Sequence, residues 1–125
     1  MVKEEADLEK EHIKLFLIPA NKNNLLESKK IDLFVNIVSF QEMNYEQINN
    51  YFSIIKSNNS YLYNCNREKK ILPDGIKIEY EKYPFDNAKF LFKEECIWHK
   101  NIYLSKYPFI KKYDGNHIHS LCKFN

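Results

Sequence analysis

Glycine is the residue that this sequence most clearly lacks. Only Gly75 and Gly115 occur among its 125 residues, and they lie far apart in the chain. A G-x-G fingerprint cannot be written from them, so the sequence carries none of the familiar glycine-rich loops that cradle phosphates or nucleosides. We therefore expect that this chain by itself binds a nucleotide-like cofactor poorly or not at all.

Long apolar runs and paired cysteines are missing as well. No stretch approaches the roughly 20 apolar residues of a membrane-spanning helix. Residues 1–11 are mostly charged, unlike the start of a secretion signal. The cysteines number three and form no C-x-x-C pair, which argues against a zinc site or a disulfide framework. We expect reduced thiols, a cytoplasmic location and no membrane partner.

The charge is nearly balanced, with 19 basic and 17 acidic residues, and Arg67 is the only arginine. Nucleic-acid surfaces usually combine a strongly basic balance with clustered lysine and arginine, so we expect no nucleic-acid partner. The composition, 44% hydrophobic and 15% aromatic, is typical of a globular chain. Its length predicts a single domain spanning residues 1–125 with a modest core.

The strongest local pattern lies between residues 31 and 56. Ile31 to Val38 is almost unbroken apolar sequence, which predicts a strand buried on both faces of a parallel sheet. Asn44 to Lys56 predicts a helix, with Asn44 as N-cap, Gln47 three residues later, and one face formed by Ile48, Tyr51, Phe52 and Ile55. Between strand and helix stands a polar corner, residues 39–43, at the end of a strand where α/β sheets place ligands.

This corner carries a family resemblance. The run Asp32-Leu-Phe-Val-Asn-Ile-Val-Ser-Phe-Gln-Glu-Met43, with Tyr51-Phe52 and Tyr61-Leu-Tyr-Asn-Cys-Asn-Arg67, resembles the C-terminal half of the sugar O-methyltransferases. The similarity runs from roughly Ile13 to His99. It implies an α/β fold with part of a Rossmann-like methyltransferase sheet, S-adenosylmethionine as cofactor and a sugar or glycan as substrate. The glycine-rich loop and the N-terminal cofactor-binding strands of that family are missing from this sequence.

Shorter patterns in the sequence predict further elements. We predict a charged helical segment at residues 1–12, a strand at Ile13–Ile18 ended by Pro19, and a short helix within Asn21–Lys30 that turns Leu25 and Leu26 inward. Farther along the chain we predict strands at Ser60–Cys65 and Ile76–Tyr80, with a turn at Pro73–Gly75 between them. Ala88–Lys93 has a mixed pattern, and Cys96–Trp98 is a short apolar run. Residues 100–125 are predicted to form an irregular aromatic-rich tail that contains one late antiparallel strand.

The first site candidates come from the corner. Glu42 is the candidate catalytic residue, because a carboxylate there can deprotonate a sugar hydroxyl or hold it in line. The competing interpretation is an acidic residue that favours the dipole at the helix N-terminus. Gln41 and Ser39 are candidates for contacting cofactor or sugar, although they can equally satisfy backbone groups.

The second group of candidates follows the Ser60–Cys65 strand. Asn64, Asn66 and Arg67 are expected to project toward the same crevice, where Arg67 can clamp an anionic sugar. A surface ion pair with Glu68 or Asp74 is the alternative for Arg67.

His99 beside Trp98 can form a sugar-stacking platform, although a core tryptophan with a rim histidine is the more frequent arrangement. His117 and His119 share one side of a strand but have no evident third ligand, so we predict no metal site. Tyr51, Phe52, Tyr61 and Tyr63 are predicted to be core, and Asp32 to be structural.

Without the N-terminal strands of that family, we expect the Ile13–Ile18 strand either to pair next to Ile31–Val38 or to leave an unpaired apolar sheet edge. An apolar edge favours association, either with itself or with a separately encoded N-terminal half. Two alternatives to a methyltransferase remain: an inactive truncated remnant, and a small α/β interaction module without catalysis.

Overall fold

The computed structural model describes Leu8 and residues 15–99, 101–103, 110–112 and 115–125, without the side chains of residues 99, 101–103 and 110–112. The predicted segment at residues 1–12 therefore lies outside the described residues except for Leu8. The chain forms a mixed α/β fold. Within the described residues the strands are β1 (Leu33–Ile37), β2 (Tyr61–Arg67), β3 (Lys69–Ile71), β4 (Lys77–Glu79), β5 (Ala88–Glu95), β6 (Asn101–Tyr103), β7 (Ile110–Lys112) and β8 (His117–Phe124), and the α-helix is α1 (Tyr45–Ser57).

Four of the strands form one mixed sheet in the order β1-β2-β8-β5. β1 and β2 are parallel and joined through α1, whereas β8 runs antiparallel to both β2 and β5. The predicted antiparallel strand within the tail is thus β8, but it lies inside the sheet, so the prediction of an irregular end is wrong for residues 117–124. Two short antiparallel pairs, β3–β4 and β6–β7, accompany this sheet.

Helix α1 confirms the prediction for residues 44–56 to within one residue. The Asn44 side chain accepts a hydrogen bond from the Gln47 backbone at 2.9 Å, and the Gln47 side chain accepts one from the Asn44 backbone at 3.1 Å. This reciprocal capping box satisfies two donors at the helix start. Ile48, Phe52 and Ile55 are buried, as expected, and pack against one face of the sheet.

The core lies between α1 and that face of the sheet. It combines helix residues with strand and hairpin residues: Phe40, Ile48, Phe52, Ile55, Leu62, Leu72, Ile78, Tyr80, Tyr83, Cys122 and Phe124. Phe52 is at its centre, with four aromatic rings within 6.2 Å of its own. Of the predicted aromatic core, Phe52 is buried, whereas Tyr61 is 40% exposed because it faces the opposite side of the sheet.

At two tight bends, asparagine adopts the left-handed backbone conformation that glycine usually adopts. Asn59 follows the end of α1 with φ of 50°, and Asn87 precedes β5 with φ of 64°. Asparagine tolerates this left-handed region better than other residues with a side chain. Gly75 adopts φ of 86° in the β3–β4 turn, which confirms the turn predicted from Pro73-Asp74-Gly75. A sequence poor in glycine can therefore still make its tight turns.

Three local predictions are wrong. Leu15 to Ile18 is not a strand, and Leu15 and Leu17 are 77% and 63% exposed; Ile13 and Lys14 lie outside the described residues. β1 is shorter than predicted, and one of its faces is exposed while the other is only half-buried. Trp98 is 81% exposed rather than part of the core. Each of these three predictions required another strand or layer to cover the residues in question, and the described residues include no such element.

The remaining elements agree with their predictions in outline. Ala20–Leu26 is helical, as 3-10 rather than α-helix, with Leu25 and Leu26 half-buried. The predicted strand at Ile76–Tyr80 is β4, in which Ile78 is buried. In the part of the chain described here, no helix is both long and apolar enough to cross a membrane.

Candidate functional site

The corner after β1 begins with a strained residue. Val38 adopts φ of 61°, a left-handed conformation that costs a β-branched residue about 1–2 kcal/mol. Its N–H nevertheless donates to the Cys65 carbonyl at 2.8 Å, so the corner remains attached to β2. The chain then forms a 3-10 turn at Phe40–Glu42, with the exposed Ser39 at its N-cap position. The turn directs the following side chains toward the end of β2.

Gln41 joins the corner to β2 and is only 1% exposed. Its side-chain Oε1 accepts a hydrogen bond from the Arg67 backbone at 2.7 Å, and its own backbone N–H donates to Asn66 Oδ1 at 3.1 Å. Its Nε2 donates to Glu42 Oε1 at 3.2 Å. Gln41 is therefore a structural bridge that holds Glu42, and its buried amide is closed to direct contact with a ligand.

Asn64 and Asn66 lie inside β2, not after it as predicted, and both are fully buried. Asn66 Nδ2 donates to Asn64 Oδ1 at 2.5 Å and to Asn36 Oδ1 at 2.8 Å. Asn36 Oδ1 also accepts from the Phe40 backbone at 3.3 Å. The three asparagines form a largely buried network that joins β1 to β2 beneath the corner, and within it Asn64 Nδ2 has no hydrogen-bond partner among the described residues.

Glu42 is the accessible acid of the corner. Its side chain is 51% exposed, and Oε1 accepts a hydrogen bond from the Lys70 ammonium. This bond, with that from Gln41 and the charges of Lys70 and Arg67, holds the pKa of Glu42 below its ordinary value, although partial burial opposes the shift. Glu42 is thus ionised at neutral pH and acts as a hydrogen-bond acceptor more readily than as a general base.

Not all predicted site residues come together. Ser39, Gln41, Glu42, Asn64, Asn66 and Arg67 gather where β1 and β2 end, but only Ser39, Glu42 and the half-buried Arg67 reach the surface there. Ser39 Oγ donates to the Ile37 carbonyl at 3.4 Å. His99 ends a separate 3-10 turn at Ile97–His99, and the prediction for its side chain lies outside what is described.

Sequence reasoning missed two members of this cluster, Asn36 and Lys70. Asn36 had a signal, because it is a polar residue inside an otherwise apolar strand, and a buried amide needs partners. Lys70 lies on β3 and had none, since only the tertiary structure brings it to Glu42.

A small cleft lies beside the corner, between the helical segment at residues 20–26, β1 and α1. Its volume is about 240 Å³, and its walls are Leu26, Phe34, Val35, Asn36, Ser39, Phe40, Met43, Tyr51, Ile55 and Leu62. This volume is below the roughly 300–1,000 Å³ of typical ligand pockets. The walls are mostly apolar and include no acidic residue.

S-adenosylmethionine does not fit this cleft. The molecule carries a nucleoside and a positively charged sulfur, whereas the polar side chains that line the cleft are Asn36, Ser39 and Tyr51, none of them acidic. Both glycines lie outside the corner, at Gly75 and Gly115. His117 and His119 also gain no partners for a metal: among the described residues, no group of three histidine, cysteine or acidic side chains is arranged to hold one.

Comparison with known proteins returned nothing: no protein-family model, curated protein or solved structure matches this chain.

Proposed function

We propose that this chain forms the sugar-binding part of an S-adenosylmethionine-dependent sugar O-methyltransferase, with Glu42 as the residue that holds the acceptor hydroxyl. The observation that carries the proposal is the position of Glu42. Its half-exposed carboxylate stands where the two parallel strands end, and the buried Gln41 joins it to β2. Ligands of open α/β sheets bind at this end of the strands.

The sheet order supports the proposal. β1 and β2 are parallel and connected through α1, and β8 then reverses direction. The resemblance of residues 13–99 to sugar O-methyltransferases implies parallel strands with helices, followed by antiparallel strands. If the sheet has a Rossmann-like origin, parallel strands followed by an antiparallel strand are expected. The same origin accounts for the polar corner that follows the mostly apolar strand β1.

The roles of the residues follow from their charges. Glu42 accepts a hydrogen bond from a sugar hydroxyl and fixes the direction of its oxygen, while Lys70 can donate to a neighbouring ring or hydroxyl oxygen. Hydrogen bonds to an ionised group contribute about 1.5–3 kcal/mol, so Glu42 can dominate weak sugar binding. No methyl-transfer step is assigned to this chain, because the cleft beside the corner does not fit the cofactor.

Titration with sugars, followed by amide chemical shifts, tests the proposal. We expect shifts confined to residues 39–42 and 67–70, with neutral and carboxylated monosaccharides as probes. Glu42→Gln should weaken binding about tenfold. The matched control is Glu46→Gln, because Glu46 is an exposed acid in the first turn of α1. Absence of shifts at the corner with any sugar, or equal weakening by both variants, would contradict the proposal.

Calorimetry with S-adenosylmethionine is the complementary measurement. We expect no detectable heat from the folded chain, because the cleft is small and apolar. Micromolar binding would show that the cofactor site is formed by residues other than those of the corner.

A further inference from the structure

A second cluster of titratable side chains lies on the face of the sheet that points away from α1. Tyr63 of β2, His119 of β8 and Glu94 of β5 come from three neighbouring strands. The Tyr63 hydroxyl lies 3.3 Å from His119 Nδ1, and His119 Nε2 lies 3.3 Å from Glu94 Oε1. The three side chains therefore form a continuous row of polar contacts from phenol to imidazole to carboxylate, away from the corner.

The carboxylate determines which imidazole nitrogen carries the proton. An ionised carboxylate can only accept hydrogen bonds, so the neutral His119 ring places its proton on Nε2, toward Glu94. Nδ1 then keeps its lone pair and accepts a hydrogen bond from the Tyr63 hydroxyl. A nucleophile, a base within reach of it and a third group that orients the base are the parts of an activated nucleophile.

The environment of the pair gives the base a role. Desolvation raises the pKa of Tyr63 above its ordinary value, so the phenol is protonated at neutral pH and needs a base in order to react. The His119 side chain is 16% exposed, and the Phe92 ring packs against it with 5.2 Å between the ring centroids. Glu94 is 68% exposed, so the cluster lies at the surface, where a small molecule can reach it.

The neighbours of Tyr63 on this face are apolar. In the sheet register it stands between Val35 of β1 and Leu121 of β8, and the Phe92 ring lies 6.5 Å from its own. Val35 and Phe92 are exposed. A molecule that reacts with the Tyr63 oxygen therefore meets apolar surface around it, which favours an uncharged, apolar acyl group.

We propose that Tyr63, His119 and Glu94 form an acyl-transfer site for activated esters with a short apolar acyl group. The Tyr63 oxygen forms a bond to the ester carbonyl carbon while His119 Nδ1 takes the phenol proton. The bond from that carbon to the leaving oxygen breaks, and the leaving group departs with the electron pair and takes the proton from His119. Water then hydrolyses the acyl-tyrosine with His119 as base, which releases the carboxylic acid and restores the phenol.

The roles of the three residues differ. Tyr63 and His119 are the catalytic residues, whereas Glu94 is a positioning residue that acts through the His119 ring. This inference does not depend on the proposed function, because it uses none of the residues of the corner.

Hydrolysis of p-nitrophenyl butyrate by the full chain tests the site, because absorbance reports the release of p-nitrophenolate. We expect a burst stoichiometric with the chain, and mass spectrometry should find the acyl group on Tyr63. Tyr63→Phe should abolish the burst, and His119→Gln should slow it about 100-fold, the lower end of the range for general-base catalysis. Circular dichroism checks that the variants are folded.

Tyr61→Phe is the matched control and should leave the burst unchanged. Tyr61 lies on the same strand and face and is exposed, yet no base in the described part of the chain is bonded to its hydroxyl. A burst that survives in Tyr63→Phe overturns the proposal, as does an acyl group found on Tyr61, on His119 or on lysines instead of Tyr63.

Nitrogen chemical shifts of the His119 ring test the positioning role of Glu94. The unmodified chain should show the neutral ring protonated at Nε2, and Glu94→Ala should give a mixture of the two neutral forms. Glu95→Ala is the control, because the adjacent Glu95 pairs with Ile118 and faces the other side of the sheet. Ring shifts that are the same in Glu94→Ala as in the unmodified chain overturn the role of Glu94.

Discussion

The bridge formed by Gln41 gives the sharpest test of the candidate site. Replacement by glutamate preserves the shape of the side chain but puts a carboxylate in a buried position beside the ionised Glu42. Uncompensated buried charges cost several kcal/mol, so Gln41→Glu should lower the free energy of unfolding at pH 7 by about 3–5 kcal/mol. Gln41→Leu removes the acceptor of the Arg67 N–H and should cost about 1–3 kcal/mol.

The pH dependence separates the two variants. Burial and the Glu42 charge raise the pKa of the introduced carboxyl in the folded state, so its penalty is present at neutral pH and is lost as the pH falls through that raised pKa. Glu42 itself stays ionised at pH 5, because its own pKa is held below the ordinary value. Gln41→Glu should therefore recover stability between pH 7 and pH 5, while Gln41→Leu changes by the same amount as the unmodified chain.

Urea unfolding followed by circular dichroism at pH 7 and pH 5 measures both effects. If Gln41→Glu is as stable as the unmodified chain at pH 7, or if its deficit is the same at both pH values, the buried bridge between the corner and β2 is refuted. The Glu46→Gln variant controls for a general effect of charge near the start of α1.

Three further predictions follow from the structure. Two lysines bond to the Glu79 carboxylate and lower its pKa to about 2, so NMR titration should show Glu79 protonating well below the ordinary glutamate range, and a value near 4.5 would contradict the pairing. Burial raises the pKa of the Cys65 thiol to about 12 and that of Cys122 to about 11, so both should resist a thiol reagent at pH 8 until urea is added; rapid modification of the native chain would contradict their burial. Phe52→Ala should reduce the free energy of unfolding by about 3–5 kcal/mol, whereas Phe92→Ala, at a 36% exposed position, should cost clearly less.

Much of the fold could be predicted because the relevant information is local. The capping box of Asn44 and Gln47 and the spacing of Ile48, Phe52 and Ile55 determine α1 within a dozen residues of chain. The Pro73-Asp74-Gly75 turn is equally local. The prediction that Glu42 lies just after a strand, near the end of β2, also follows from the order of elements.

The candidate site was less predictable, because burial there depends on distant residues. Asn64 and Asn66 look like polar residues that end a strand, yet both are buried within β2, where Asn66 bonds to Asn64, Asn36 and the Gln41 backbone. Lys70 lies close to Glu42 only because β3 passes beside the corner, and no local pattern predicts that position. Whether these groups bind a sugar stays a prediction.

The sequence by itself determined the elements that depend on neighbours along the chain: helix α1, the polar corner, the β3–β4 turn and the scarcity of glycine that argues against a cofactor loop. Only the tertiary structure decided which strands are neighbours. It placed β8 between β2 and β5, and among the described strands it paired β1 with β2 alone and left one face of β1 exposed. Strand pairing joins residues that are far apart in sequence, and such long-range contacts leave no periodic signal in either partner.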